Sequence, residues 1–240
     1  MGTLILQDGT MYKGRSVGAI GGYEGEVVFN TSMAGYQEIL TDPSYAKQIV
    51  IMTYPEIGNY GINDFDFESQ KPALVGIIAK NFCENESHYQ ASSNILKYFR
   101  ENNVIALDSI DTRSLVKKIR EVGTMNAFIT SNDADNAFFT KKLEEIQKFR
   151  ISPTIIEEVS CEGRYIVNPQ GEYKVAFLDY GAKRGIIKAL ADRGCKLTIY
   201  NAKTEAKEIL DNDFDAVFLS NGPGNPADYT FQISQIKQMM

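Results

Sequence analysis

The chain has 240 residues, with 25 Lys and Arg against 31 Asp and Glu and a net charge of −6 at pH 7. At 43% hydrophobic and 23% charged it has the make-up of a folded globular protein, not a disordered one. The acidic balance leaves no electrostatic footprint for nucleic acid or an anionic membrane, and apolar runs such as residues 73–79 fall far short of the roughly 20 residues of a membrane helix.

Residues 3–7 and 11–13 read as short strands around Asp8-Gly9, a dipeptide suited to a tight hairpin. The first residues lack the basic and long apolar regions of a secretory signal, so none is expected. Residues 26–30, 48–54, 74–80 and 104–107 are β-rich. Between them, residues 31–45 read from composition as a capped helical turn, in which Asp42 or Ser44 satisfies free N–H groups and Pro43 presets φ. Helices are predicted over 88–100, 112–122 and 135–148. The second has a cap at Asp111 or Thr112, carries Leu115, Ile119 and Val122 at helical spacing, and ends at Gly123.

Residues 151–172, interrupted by Pro153, Gly163, Pro169 and Gly171, lose all periodicity and read as a linker. Strands then alternate with helices: strand 174–179, helix 183–192, strand 197–200, helix 204–210, strand 216–220 and a helix from 229. That alternation predicts parallel βαβ units. The expected fold is α/β: a mixed β/α domain over 1–150, the linker, and over 173–240 the first strands of a doubly wound parallel sheet. Three such strands leave an apolar edge unpaired, so a longer natural protein is expected, with this chain as its front part.

Open α/β sheets bind ligands beyond the carboxyl ends of their strands. Two loops qualify: Asp179-Tyr180-Gly181-Ala182-Lys183 and Ser220-Asn221-Gly222-Pro223-Gly224-Asn225-Pro226. In the second, Gly222 and Gly224 let the main chain approach a ligand and aim N–H groups at a carboxylate or a developing oxyanion. A strand-ending turn that needs positive φ is the competing reading, and spacing alone does not separate the two. Neither GxxxxGK[ST] nor GxGxxG is present, which disfavours a flavodoxin-like nucleotide binder.

Cys83, Cys161 and Cys195 form no disulfide framework and no CxxC pair, the usage of a reducing cytoplasm. His88 is the single histidine, which excludes a His-rich metal site. A thiol activated for acyl transfer sits on a sharp strand-to-helix turn beside a base. Cys195 instead precedes a strand, on the wrong edge of the sheet; Cys161 lies in the linker; Cys83 is near His88 in sequence but has no glycine elbow. No catalytic residue is therefore assigned within this chain.

Several separate motifs occur in order: Gly25-Glu26-Val27-Val28-Phe29-Asn30-Thr31-Ser32-Met33, Gly35-Tyr36-Gln37-Glu38, Thr41-Asp42-Pro43-Ser44-Tyr45, Thr53-Tyr54-Pro55 with Gly58-Asn59, Asp111-Thr112-Arg113, the 179–183 loop, and Leu219-Ser220-Asn221-Gly222-Pro223-Gly224. Together, along the whole chain, they resemble the glutamine-hydrolysing small subunit family of carbamoyl phosphate synthase. The resemblance implies an N-terminal β/α domain joined to a class I glutamine amidotransferase domain. It implies hydrolysis of L-glutamine through a cysteine thioester, with ammonia passing through a tunnel to a large subunit. That subunit would use ATP, Mg and bicarbonate to make carbamoyl phosphate for arginine and pyrimidine synthesis, with no cofactor in this chain. By the same resemblance Ser44 contacts glutamine from the first domain, and Gly222 and Gly224 hold it from the second, the Gly222 N–H serving the oxyanion hole. The family's cysteine elbow and catalytic His and Glu have no counterpart here, so this span alone is expected to be inactive. The alternative is a non-catalytic module that docks the large subunit; no nucleic acid or membrane partner is expected.

Overall fold

The structure, a computed structural model, describes residues 1–133 and 136–240, except the side chains of 136 and 137. Its contacts divide into two units: Met1–Thr41 with Lys47–Ile151, and Asp42–Ala46 with Ser152–Met240.

In the first unit the β-rich runs close on themselves. The elements are β1 (Gly2–Leu6), β2 (Met11–Ser16), β3 (Gly22–Asn30), α1 (Tyr36–Thr41), β4 (Gln48–Met52), β5 (Glu56–Ile57), β6 (Gly76–Ile78), β7 (Asn81–Phe82), α2 (Ile95–Glu101), β8 (Ile105–Asp108), α3 (Thr112–Val122), β9 (Met125–Thr130) and α4 (Asn136–Lys148). Seven strands form a closed barrel in the order β1-β2-β8-β6-β4-β3-β9, and β5 pairs with β7 apart from it. The turn between β1 and β2 is set by Gly9 at φ +85° and by the Asp8 carboxylate, which accepts the Thr10 N–H at 2.9 Å. Period-two alternation explains the burial: Leu4 and Leu6 join one core with Val27, Ile49, Ile51, Ile105, Leu107 and Ile129, while Ile5 packs on the other face with Phe128 and with Ile146 of α4. Helix α3 reaches the first of these cores through Leu115 and Ile119; Asp111 caps it by accepting the Ser114 N–H, and Gly123 ends it at φ +93°.

The second unit contains α5 (Ile155–Val159), β10 (Tyr165–Val167), β11 (Tyr173–Asp179), α6 (Arg184–Ala191), β12 (Cys195–Asn201), α7 (Ala206–Leu210), β13 (Ala216–Leu219) and α8 (Thr230–Met239). The sheet order is β10-β12-β11-β13, with β11 parallel to both neighbours and β10 antiparallel to β12. Both faces of β11 and β12 are covered, as in a doubly wound sheet, while β13 stays largely exposed. Val175, Phe177, Leu197 and Ile199 meet Ile186, Ile187 and Leu190 of α6, while Ala176, Leu178 and Tyr200 meet Ile209 of α7.

Several elements differ from the sequence expectations. Strand β9 and helix α1 were not anticipated, and residues 152–172 carry α5 and β10. Helix α2 begins only at Ile95 because Asn94 caps it, accepting the Leu96 N–H at 2.8 Å. The expected start of α4 at Asp135 lies outside the described residues. The 31–45 segment does contain a capped turn: Asp42 accepts the Ser44 N–H at 2.9 Å, with Pro43 opening a 3-10 turn over Pro43–Tyr45.

Candidate functional site

The second unit gathers three loops beyond the carboxyl ends of β11 and β13. Asp179, the last residue of β11, is buried, and its carboxylate organises the first loop. One oxygen accepts the N–H groups of Gly181 at 2.9 Å and Ala182 at 2.7 Å; the other accepts that of Cys161 at 2.9 Å. A buried carboxylate is tolerated where it meets several donors. The second loop follows β13. Ser220 Oγ accepts the Tyr180 N–H at 2.8 Å, and Asn221 Nδ2 donates to the Gly181 carbonyl at 3.1 Å, so the two loops hold each other.

The third loop is the excursion Asp42–Ala46, which groups by its contacts with this unit. Asn221 Nδ2 also donates to Ser44 Oγ at 2.8 Å, and Lys183 Nζ pairs with the Asp42 carboxylate at 2.7 Å. Ser44, expected to reach in from the first domain, thus stands in the same body as Gly222 and Gly224. Those glycines are structural necessities. A Cβ on Gly222 would collide with the Tyr180 carbonyl, and one on Gly224, at φ +77°, with the Tyr229 hydroxyl, which itself donates to the Pro223 carbonyl. Both glycines are exposed, and among the described residues nothing accepts either N–H. The loops therefore carry two main-chain donors without an acceptor among the described residues and one positioned hydroxyl, groups suited to anionic or carbonyl oxygens.

Asp179 and Asn221 were placed by sequence in the two candidate loops, but neither was assigned a role. The available signal was a carboxylate ending an apolar strand and an amide placed directly before the glycine loop. Tyr180 has a buried hydroxyl with no partner among the described residues, and burial pushes its phenol up to about 12.

The thiols are placed away from any elbow. Cys195 opens β12 opposite Tyr173, at the amino ends of the parallel strands. Cys161 is half-buried; loss of hydration, then the Asp179 charge, push its thiol up to about 11. Burial and the Glu56 carboxylate, 3.6 Å from the sulfur, push the Cys83 thiol up as well. His88 packs on Tyr89, and among the described residues no hydrogen bond joins it to a thiol. No cluster of three or more His, Cys, Asp or Glu residues able to hold a metal ion occurs among the described residues, and no described helix is long and apolar enough to cross a membrane.

Comparison with known proteins adds the family. Residues 4–129 match the carbamoyl-phosphate synthase small chain, CPSase domain, and residues 176–240 match glutamine amidotransferase class-I. The chain is 41% identical to the carbamoyl phosphate synthase small chain of Caldanaerobacter subterraneus subsp. tengcongensis, over 100% of this chain and 64% of that one. It is 39% identical to the small chain of Syntrophotalea carbinolica and 39% identical to that of Escherichia coli, in each case over 99% of this chain and 66% of the other. The chain thus spans just under two thirds of the length of these relatives. It belongs to the carbamoyl phosphate synthase small-chain family.

Proposed function

We propose that this chain forms part of the glutamine-hydrolysing side of a carbamoyl phosphate synthase, supplying a wall of the L-glutamine site. Ammonia released there passes to a large synthetase subunit, where ATP and magnesium serve carbamoyl phosphate formation for arginine and pyrimidine synthesis in the cytoplasm. The observation that supports this reading is the loop after β13: the Gly222 and Gly224 N–H groups have no acceptor among the described residues, and the neighbouring Asn221 donates to the Ser44 hydroxyl. Because that hydroxyl accepts rather than donates in this bond, its proton is available to a carbonyl or carboxylate of glutamine. Amide cleavage through a thioester develops negative charge on the carbonyl oxygen. A fixed N–H such as that of Gly222 stabilises this charge more than it stabilises the planar amide, by about 3 kcal/mol for one donor of this kind. Gly224 and Ser44 orient the substrate.

On this reading the 240-residue chain does not cleave glutamine unaided. Its thiols at Cys83 and Cys161 are held protonated, and Cys195 lies at the opposite end of the strands from the donors. Titration of the 15N-labelled chain with L-glutamine tests the binding half. The amide signals of Gly222 and Gly224 should move while those of the barrel stay; shifts confined to other residues, or none at millimolar glutamine, would sink it.

A second reading has the first unit dock the large subunit and take no part in the chemistry, with Ile20, Met33 and Phe65 as the contacts to test. These large apolar side chains are 91%, 76% and 75% exposed. Loss of co-purification on Ile20→Ser/Met33→Ser/Phe65→Ser is the expected result; unchanged co-purification would count against it.

A further inference from the structure

Helix α3 carries a row of cations that form no ion pair among the described residues. Arg113, Lys117 and Arg120 are exposed and lie at i, i+4 and i+7, within about 60° of arc on one helix face. Among the described residues none of the three makes an ion pair or a side-chain hydrogen bond. Lys118, on the neighbouring stripe, shows the contrast: it pairs with Asp8 at 2.7 Å and donates to Thr10 Oγ1 at 2.8 Å. The row borders a cavity of about 320 Å³ whose other walls are Thr53, Thr112 and Val116, so two hydroxyls and an apolar side chain face it with no carboxylate. Asp111 and Glu121 line a second cavity together with Arg113 and Lys117, Glu121 one turn beyond Lys117, but neither carboxylate forms an ion pair with the row among the described residues.

The spacing of the row selects its occupant. Seven residues of helix span about 10 Å, so one phosphate would have to draw all three side chains inward against their mutual repulsion, whereas a partner with several carboxylates can meet each cation where it stands. A polypeptide reaches them easily, since carboxylates two residues apart on a strand, or one turn apart on a helix, are about 6 Å apart. Like charges at i, i+4 repel, and in a chain of net charge −6 an unmatched cationic row is a local reversal of sign that a complementary acidic surface relieves. We infer that the Arg113–Lys117–Arg120 row is a docking site for an acidic stretch of the large synthetase subunit. This rests on the proposal above that the chain pairs with such a subunit.

The test is the affinity of the full chain for the purified large subunit, measured calorimetrically from about 50 to 300 mM NaCl. The wild type is compared with Arg113→Glu/Lys117→Glu/Arg120→Glu and with the corresponding triple glutamine variant, circular dichroism serving to check folding. Reversal should weaken binding by about a hundredfold, and neutralisation by about tenfold with a flatter salt dependence. The glutamine variant decides the matter if the reversal variant does not fold. Wild-type affinity and salt slope in a folded variant would overturn the docking row and leave subunit pairing standing. A wild-type chain that does not bind at all would overturn both. Saturable binding of inorganic phosphate to the row, with partner affinity indifferent to the substitutions, would assign it to small anions and equally overturn the inference.

Discussion

The two units handle their strands in opposite ways. The first closes seven strands on themselves, so that no barrel strand is left at an edge, and Leu4, Leu6, Ile49, Ile51, Ile105 and Leu107 have no exposed surface. The second leaves β13 paired only to β11 among the described residues, with Val217 and Leu219 each 41% exposed although Phe218 stacks on Phe177. Closure fixes register and hides polar groups. An open parallel sheet fixes less, yet it sends every βα loop to one end, where main-chain donors can be left free for a ligand. In this chain the barrel leaves no strand at an edge, whereas the open sheet has a buried centre, an exposed β13 and the loops where chemical opportunity lies.

The sharpest way to break this comparison is to make similar truncations in both units. Ile129→Ala in the barrel core should cost about 2–5 kcal/mol in urea unfolding, whereas Leu219→Ala on β13 should cost less than about 1 kcal/mol. Equal costs would deny the contrast. Next in size is Asp179→Asn, which turns an acceptor of three N–H groups into a side chain with an NH2 facing at least one of them. A loss of about 1–3 kcal/mol is expected, read as an earlier thermal transition of the second unit with the barrel unchanged. Gly224→Ala should cost about 1–2 kcal/mol from its positive φ and the collision with Tyr229. Because Tyr229→Phe removes the colliding hydroxyl, the two substitutions should be less than additive, and strict additivity would show that the loop does not depend on that packing.

The last effect is kinetic and leaves stability untouched. With its thiol pushed up to about 11 from an ordinary 9.0, Cys161 holds roughly a hundredfold less thiolate at pH 8. Iodoacetamide should label it about that much more slowly than a solvated thiol, and the rate should climb roughly tenfold per pH unit until pH approaches 11. Fast labelling at neutral pH would mean that the sulfur is neither desolvated nor beside Asp179.

Local chemistry made much of this architecture legible. Helix α3 shows its cap, apolar stripe and glycine stop within a dozen residues, and the βαβ rhythm after residue 173 announces a parallel sheet. Barrel closure was not legible, because it depends on β9 pairing with both β1 and β3 across long sequence separations. Helix α1 is too short to show a period, and its opening Tyr36 N–H and that of Gly35 just before it both donate to the Tyr60 hydroxyl, 24 and 25 residues away. At the candidate site the glycine loop could be read directly. The contact that fixes the Ser44 hydroxyl could not, since Asn221 lies 177 residues further along the chain.

On the proposed reading the chain binds L-glutamine while none of its own thiols is activated to cleave it. Glutamate release by the purified, folded 240-residue chain at saturating L-glutamine, beside its Cys83→Ser/Cys161→Ser/Cys195→Ser variant, tests it most directly. Both proteins should match the protein-free blank; steady glutamate formation by the wild type that the triple variant loses would contradict the account.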